Sequence, residues 1–481
     1  MAEPLWSVYS NYYIFPEGGW NMDKAASMEP DGKRAPRGKV PATGLWWAMI
    51  DWARAPVYYV VLMYVFSAYF AESVVGDHAR GQVLFSSAIA LTGAFMAVLS
   101  PFLGGFVDEG GRRKPVLLAL FIVMAAACSG LALAASGVSY AIPLAMVLLG
   151  VTAIAYSVSE LLHNALLPAS AGPRHVSMVS GLGLSLGSLA AVIVLVGLIY
   201  FLEKPPAGLT GEDVARLSGL VCAVWMLVFI VPALAGLKDH YREGARWRTA
   251  RFIPRSWSPV KTVATLFREH PAIMRLLIAR MIFMDGLTAL FTIGAVYVAG
   301  VLEWSAGETA AMGILSTCSA VFGGILGGWL GRRFGSRNAI IIELAAITLI
   351  FCFQIGISPE AAFFGLLPLD PAAADRSMFP RVVDLVYLGT VVPLSAFVIA
   401  AYASCRSLLV HYCPQDRVGY FFGIYAMTST ITIWLGPALV SLVTQVFDSQ
   451  RIGFGSLSIL FVAGLALMQR LPKDRPDQKK S

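Results

Sequence analysis

Charge is what this chain has least of. Only 14% of its 481 residues are Asp, Glu, Lys or Arg, against 57% hydrophobic, whereas a soluble globular protein carries about 25% charged residues. That shortfall excludes a water-facing surface over most of the molecule and points to a lipid bilayer as its solvent. Cysteine is scarce too. Cys128, Cys222, Cys318, Cys352, Cys405 and Cys413 stand singly, mostly within apolar runs, a pattern that argues against paired zinc ligands or a disulfide framework. No nucleophile–base pair, metal-spaced histidine cluster, phosphate loop or ATP-binding sequence is found, so no enzyme activity, cofactor or metal is expected, and energy would come from gradients. The first 45 residues are polar and aromatic with no short apolar run before a small-residue site, so no cleavable signal peptide is expected.

What is abundant is apolar length. A spanning helix needs roughly 20 apolar residues, and twelve stretches qualify: 46–75, 82–107, 115–135, 140–162, 176–201, 216–237, 272–300, 308–330, 338–357, 382–405, 418–445 and 452–470. The expectation is an all-α integral membrane protein of 12 transmembrane helices in two six-helix bundles. The net charge of +7 does not suggest nucleic acid, because the basic residues lie in short loops beside apolar spans. The connection from Lys238 to Pro271 holds eight Lys or Arg against three acids, and Arg112, Arg113, Lys114, Arg332, Arg333 and Arg337 fall on the same side. By the positive-inside rule that side, with both termini, is cytoplasmic, and a bacterial inner membrane is the expected location. The domains read as an N-terminal extension at 1–45, a bundle at 46–237, a basic linker at 238–271, a second bundle at 272–470 and a tail at 471–481. The extension carries Trp6, Tyr9, Tyr12, Tyr13, Phe15 and Trp20, and the linker Trp247, Phe252 and Trp257; lying on the inner leaflet competes with a plain tether for the linker, and docking with disorder for the extension.

Between the second and third spans lies a polar hinge of frame Gly104-x3-Asp108-x2-Gly111-Arg112-Arg113, and a degraded copy, Gly328-x3-Arg332-x2-Gly335-Ser336-Arg337, follows 224 residues later. Such repeats argue for an internally duplicated carrier with pseudo-twofold symmetry. A second correspondence, Ser180-Gly181 with Phe422-Gly423, sets Asn164 opposite Arg406 at a separation of 242. The hinge resembles the signature loop between helices 2 and 3 of the major facilitator superfamily. That resemblance implies the superfamily's fold, alternating access and a cytoplasmic gate built on Asp108 and the following arginines. Arg332 stands at the acid's position in the second copy, which argues against a mirrored latch.

Ionisable residues inside spans cost on the order of 2.5–3.5 kcal/mol at mid-membrane and are functional candidates. Arg280 and Asp285 lie in the seventh span, with Asp285 about thirteen residues in and near the midplane. At about 100° per residue they point roughly 140° apart, so each is expected to find its partner on another helix. Asp51 and Arg54, three apart on one face of the first span, are close enough to pair, with snorkelling to water as the competing reading. Glu160 and Asn164 share a face at the end of the fourth span, beside His163, where a solvated helix end is the alternative. Arg406 ends the tenth span. Asp384 reads as interfacial. Pro56, Pro101, Pro393 and Pro437 are positions where spans bend or break.

Several phrases together resemble the branch of the superfamily called unknown major facilitators, related to the fungal vacuole effluxers: Asp51-Trp52-Ala53, His163 to Pro168, Ser180 to Gly183, Arg280 with Asp285-Gly286, Arg406 to Leu408, Phe421 to Tyr425 and Trp434 to Pro437. The chain departs at Arg54, where the branch usually has Asn, and at His163, where it usually has Tyr. The resemblance implies a secondary carrier, expected to act as a monomer, for a small polar or zwitterionic, amino-acid-like solute. Carboxylates would be held by Arg280 or Arg406 and an ammonium by Asp285 or Glu160, with Asn164, Asp51 and Arg54 on the pathway. Protons are the candidate coupling ion, with Asp285 as their carrier. Efflux of amphiphilic compounds is the alternative within transport, and a non-transporting receptor on a carrier fold is the alternative outside it.

Overall fold

The computed structural model describes residues 40–239, 265–368, 378–414, 417–428, 431–432 and 434–472. Nearly all of the N-terminal extension, the linker aromatics Trp247, Phe252 and Trp257, and almost all of the tail lie outside the described residues. Ten long helices come first: α1 (Ala42–Val74), α2 (His78–Glu109), α3 (Arg113–Gly130), α4 (Ala141–Ala165), α5 (Val176–Glu203), α6 (Gly211–Gly236), α7 (Pro271–Val301), α8 (Ala306–Phe334), α9 (Ser336–Ile355) and α10 (Val382–Tyr412). A two-stranded antiparallel hairpin, β1 (Ala361–Ala362) with β2 (Leu367–Pro368), joins α9 to α10.

Among the described residues, 11 helices are long and apolar enough to cross a membrane. The expected eleventh span at 418–445 is instead two short helices, α11 (Val418–Thr428) and α12 (Leu435–Phe447). Pro437, in the first turn of α12, has no N–H for the carbonyl four residues earlier, and its ring crowds that turn, so one continuous helix is disfavoured there. The last span is α13 (Gln450–Gly455) followed by α14 (Leu457–Gln469). Pro101 and Pro393 stay inside unbroken helices. Pro56 immediately precedes a π-helical stretch of α1, Val57–Tyr64, and a second one, Phe70–Val74, follows.

Each half has its own apolar core. One is drawn from residues between Trp47 and Leu237, the other from Leu266 to Leu471. The bundles meet where α5 packs on α8 and α2 on α11, with α10 also against α5. These contacts are backbone on backbone: a Cβ at Gly181 would run into the carbonyl oxygen of Gly324, and one at Gly104 into that of Gly419. Only glycine permits such approach. The end of the molecule carrying Asp108, Gly172 and Gly335 is called the motif face; the β-hairpin lies at the opposite face.

Candidate functional site

Between the bundles lies a cavity of about 1910 Å³. It extends from Glu72, Glu212 and Thr309 at the opposite face down to Ser100, Asn164 and Arg406. Eight tyrosines line it, among them Tyr58, Tyr156, Tyr402 and Tyr425, together with Met63, Met96 and Met312. Asp51, Arg54, Glu160, Asn164, Arg280 and Arg406 all line it as well, whereas Asp285 does not.

The charges gather at the cavity floor. Asp51 and Arg54 form a pair at 2.7 Å, and with relative exposures of 5% and 2% neither snorkels to water. The reason lies in their neighbours: Arg54 also stacks over Tyr156, its carbon 4.7 Å from the ring centre, and Gly183 of α5 leaves room for the Asp51 carboxylate, which a Cβ there would meet at 2.6 Å. His163 is fully buried. Its ring stacks on Trp47 with centroids 4.0 Å apart; Trp47 Nε1 donates to the His163 carbonyl at 2.7 Å, and His163 Nε2 lies 2.9 Å from the Trp47 carbonyl. The end of α4 is therefore packed rather than solvated. Glu160, half-buried, makes no hydrogen bond or ion pair among the described residues.

Arg406 crosses from one bundle into the other. Its guanidinium donates to the Ser180 carbonyl at 2.7 Å, to Ser180 Oγ at 3.2 Å and to Asn164 Oδ1 at 3.3 Å, and it lies 3.5 Å from Asp51 Oδ2. Every one of those partners belongs to the first bundle. Beside it, Ser407 bonds Ser177 at 2.7 Å and Ser336 at 2.8 Å, a hydroxyl cluster that also bridges the bundles. Ser336 and Ser407 fall within the motif phrases, but nothing in the sequence pattern brings the three serines together.

Arg280 and Asp285 both face the broken eleventh span. Arg280 donates to the Tyr425 carbonyl and to Thr428 Oγ1, each at 3.1 Å, and stacks 3.5 Å above the Tyr425 ring. The carbonyl it meets lies in the last turn of α11, where backbone acceptors lack helical partners. Asp285 is buried where Thr432 and Arg280 are the polar groups that act on its carboxyl. Its expected position among the cavity ligands is thus corrected: it does not line the cavity, and its face of α7 turns to α12, whose Gly436 sits against the Asp285 backbone. Asp384, in the first turn of α10, is fully buried within the protein, paired with Arg381 at 2.9 Å and bonded by Trp304 Nε1 at 2.8 Å.

At the motif face, Asp108 accepts the backbone N–H groups of Gly419 and Tyr420, both at 2.7 Å. These are N-terminal donors of α11 that have no intrahelical acceptor, and the dipole there favours an anion. Arg113 sits 3.6 Å from Asp108 and donates to the Ala165 carbonyl at 3.1 Å. Gly111 is buried and Arg112 exposed. Arg332, in the second copy, is exposed. Sequence reasoning missed Asp239, which accepts the N–H groups of Arg113 at 3.0 Å and Lys114 at 3.3 Å and so holds the start of α3. Its signal is a lone acid just past the end of α6.

A protein-family profile described as "Vacuole effluxer Atg22 like" matches residues 74–177 and 169–481. An uncharacterized MFS-type transporter of Bacillus subtilis, YxiO, is 22% identical over 435 residues, 89% of this chain and 94% of that protein. Autophagy-related protein 22 of Coccidioides immitis is 23% identical over 315 residues, 64% of this chain but only 50% of the fungal protein's length. The solved structure of FucP, a major facilitator superfamily transporter in the outward conformation, aligns with a TM-score of 0.66 over 90% of this chain and 98% of that one, at 14% identity, a likeness of fold. Since the profile covers most of the chain, this protein belongs to the vacuole effluxer Atg22-like family and is a transporter of the major facilitator superfamily.

Proposed function

We propose that this transporter moves a small zwitterionic, amino-acid-like solute by alternating access. The observation that carries the reading is the cavity floor: Glu160, a carboxylate that makes no hydrogen bond among the described residues and acts on Arg54 only through space, shares it with Arg280 and Arg406. An ammonium group suits Glu160 and a carboxylate suits a guanidinium, which offers a planar pair of donors. Asn164, Asp51 and Arg54 shape the floor around them. The cavity exceeds the roughly 300–1,000 Å³ of a ligand pocket, so it is a vestibule that narrows around the solute as the bundles rock. The excess of basic loop residues on the motif face supports cytoplasmic termini in a bacterial plasma membrane, and on that reading the state described here faces outward with its cytoplasmic gate shut. Proton coupling belongs to the same proposal, though Asp285, off the cavity, is not where a proton and a solute would compete.

Efflux of amphiphilic compounds is the second reading, favoured by the tyrosines and methionines of the cavity wall. Isothermal titration of the purified protein against amino acids, organic acids, sugars and cationic drugs separates the two. Amino acids should bind, and Glu160→Gln should weaken them at least tenfold while leaving any amphiphile unaffected. Binding of amphiphiles alone, indifferent to Glu160→Gln, would overturn the zwitterion reading.

A further inference from the structure

We infer that His163 and Asp51 together hold one exchangeable proton, and that its arrival releases Arg406, the side chain that ties the bundles together at the cavity floor. The inference rests on the transporter reading but not on the class of solute.

The geometry begins with the tautomer. His163 Nε2 lies 2.9 Å from the Trp47 carbonyl, an oxygen that only accepts, so Nε2 carries the ring's proton. Nδ1 is then a bare lone pair. It is buried without a hydrogen-bond partner and looks at Asp51 Oδ1 across 3.5 Å. Two acceptors facing each other with no donor between them among the described residues repel; a proton between them turns the contact into a charge-assisted bond. Asp51 lines the cavity and His163 lies behind it, so the proton's route to the imidazole runs past the carboxylate.

The groups facing this pair come from four helices. From α1 come Arg54, 2.7 Å from Asp51, and the Trp47 ring; from α4 come Glu160, Tyr156 and Asn164; α5 contributes Ser180 and Gly183, neither charged; from α10 comes Arg406, 3.5 Å from Asp51. Asp51 is thus shared by two guanidiniums. When water in the cavity delivers a proton to Nδ1, the new N–H donates to Asp51 and the imidazolium becomes a third cation at one carboxylate. Arg54 shares a helix with Asp51 and stays. Arg406 belongs to the other bundle, loses its share of the carboxylate, is repelled, and withdraws with α10. With the motif face open the proton leaves to water on that side, and Asp51 regains Arg406 as the bundles close.

The experiment reads the motif-face gate without any solute. Nitroxides on Pro173→Cys and Arg333→Cys, exposed positions in opposite bundles, are placed in a chain with its native cysteines replaced, reconstituted in nanodiscs, and their distance is measured between pH 5 and 8. Acidification should move the population from the short to the long distance. Asp51→Asn, a neutral stand-in, should show the long distance at every pH, and His163→Gln, which keeps an amide donor for Trp47 but cannot take the proton, the short one. A distance in the parent chain that ignores pH overturns the proposal, as does a full pH response in His163→Gln; if Asp51→Asn does not fold, those two measurements still decide. Solute binding indifferent to Glu160→Gln, with the pH response intact, would confine the failure to the other proposal.

Discussion

Asp108→Asn is the sharpest test of how the motif face is held shut. The carboxylate accepts two backbone N–H groups at 2.7 Å, and with its side chain only 10% exposed solvent screens them little. Hydrogen bonds to a charged group contribute about 1.5–3 kcal/mol each after exchange with water is counted. Asparagine keeps one acceptor oxygen and turns an amide N–H₂ toward the other donor, so one bond is lost and the survivor no longer involves a charge. The loss is about 2–3 kcal/mol, and at about 1.4 kcal/mol per factor of ten it shifts the closed-to-open ratio by roughly 30- to 150-fold. The whole shift falls on the gate because donor and acceptor sit in opposite bundles and meet only when the motif face is closed. Double electron–electron resonance between labels at positions 173 and 333 should show the long distance gaining at the expense of the short one. A distance distribution identical to the parent's in Asp108→Asn would refute the reasoning, since it would mean that these bonds are replaced at no cost in the open state.

Arg406→Lys keeps the charge but not the fork that reaches Ser180, Asn164 and Asp51 together; the same labels should report a shift of about 1–2 kcal/mol, or roughly 5- to 30-fold, toward the open motif face. Gly181→Ala sets a methyl against the Gly324 carbonyl and should slow transport and make a cysteine introduced at Ser157, on the cavity wall, reactive to maleimide from the motif side. Glu343 is fully buried and, among the described residues, only Ser404 is bonded to its carboxyl, at 2.8 Å; Glu343→Gln keeps that bond and should not lower the thermal midpoint in detergent, whereas Glu343→Ala leaves a cavity and should lower it by several degrees. A midpoint that falls as far with Gln as with Ala would show that the carboxylate itself is needed.

Local physics made the spans and the gate legible in the sequence. Hydropathy over twenty residues depends on no other helix, and the glycine-rich hinge with its acid names its own partner, a helix start. Duplication made Arg406 and Asn164 legible as equivalent positions of the two halves, but left open whether they touch. Asp285 shows where this ends. Its depth follows from counting along α7, but α7 is apolar nearly all round, so nothing in its own sequence says which face looks at the cavity. Burial of Asp51 and Arg54 was hidden likewise, because it is imposed by Tyr156, Gly183 and Arg406 from three other helices. The burial of Asp384 escaped for the same reason: Trp304, in the turn between α7 and α8, folds over it.

The π-wound stretches of α1 have a consequence for the rocking itself. A π turn holds more residues than an α turn and advances less along the axis for each, so Val57–Tyr64 stores slack in a helix that lines the cavity for much of its length. Drawing that slack out into ordinary α-helix would lengthen α1 and turn everything beyond it, Tyr69 and Glu72 included, about the helix axis. One helix thereby holds the means to reshape the cavity's mouth at the hairpin face while its motif-face end, pinned by Trp47 and Asp51, stays where it is.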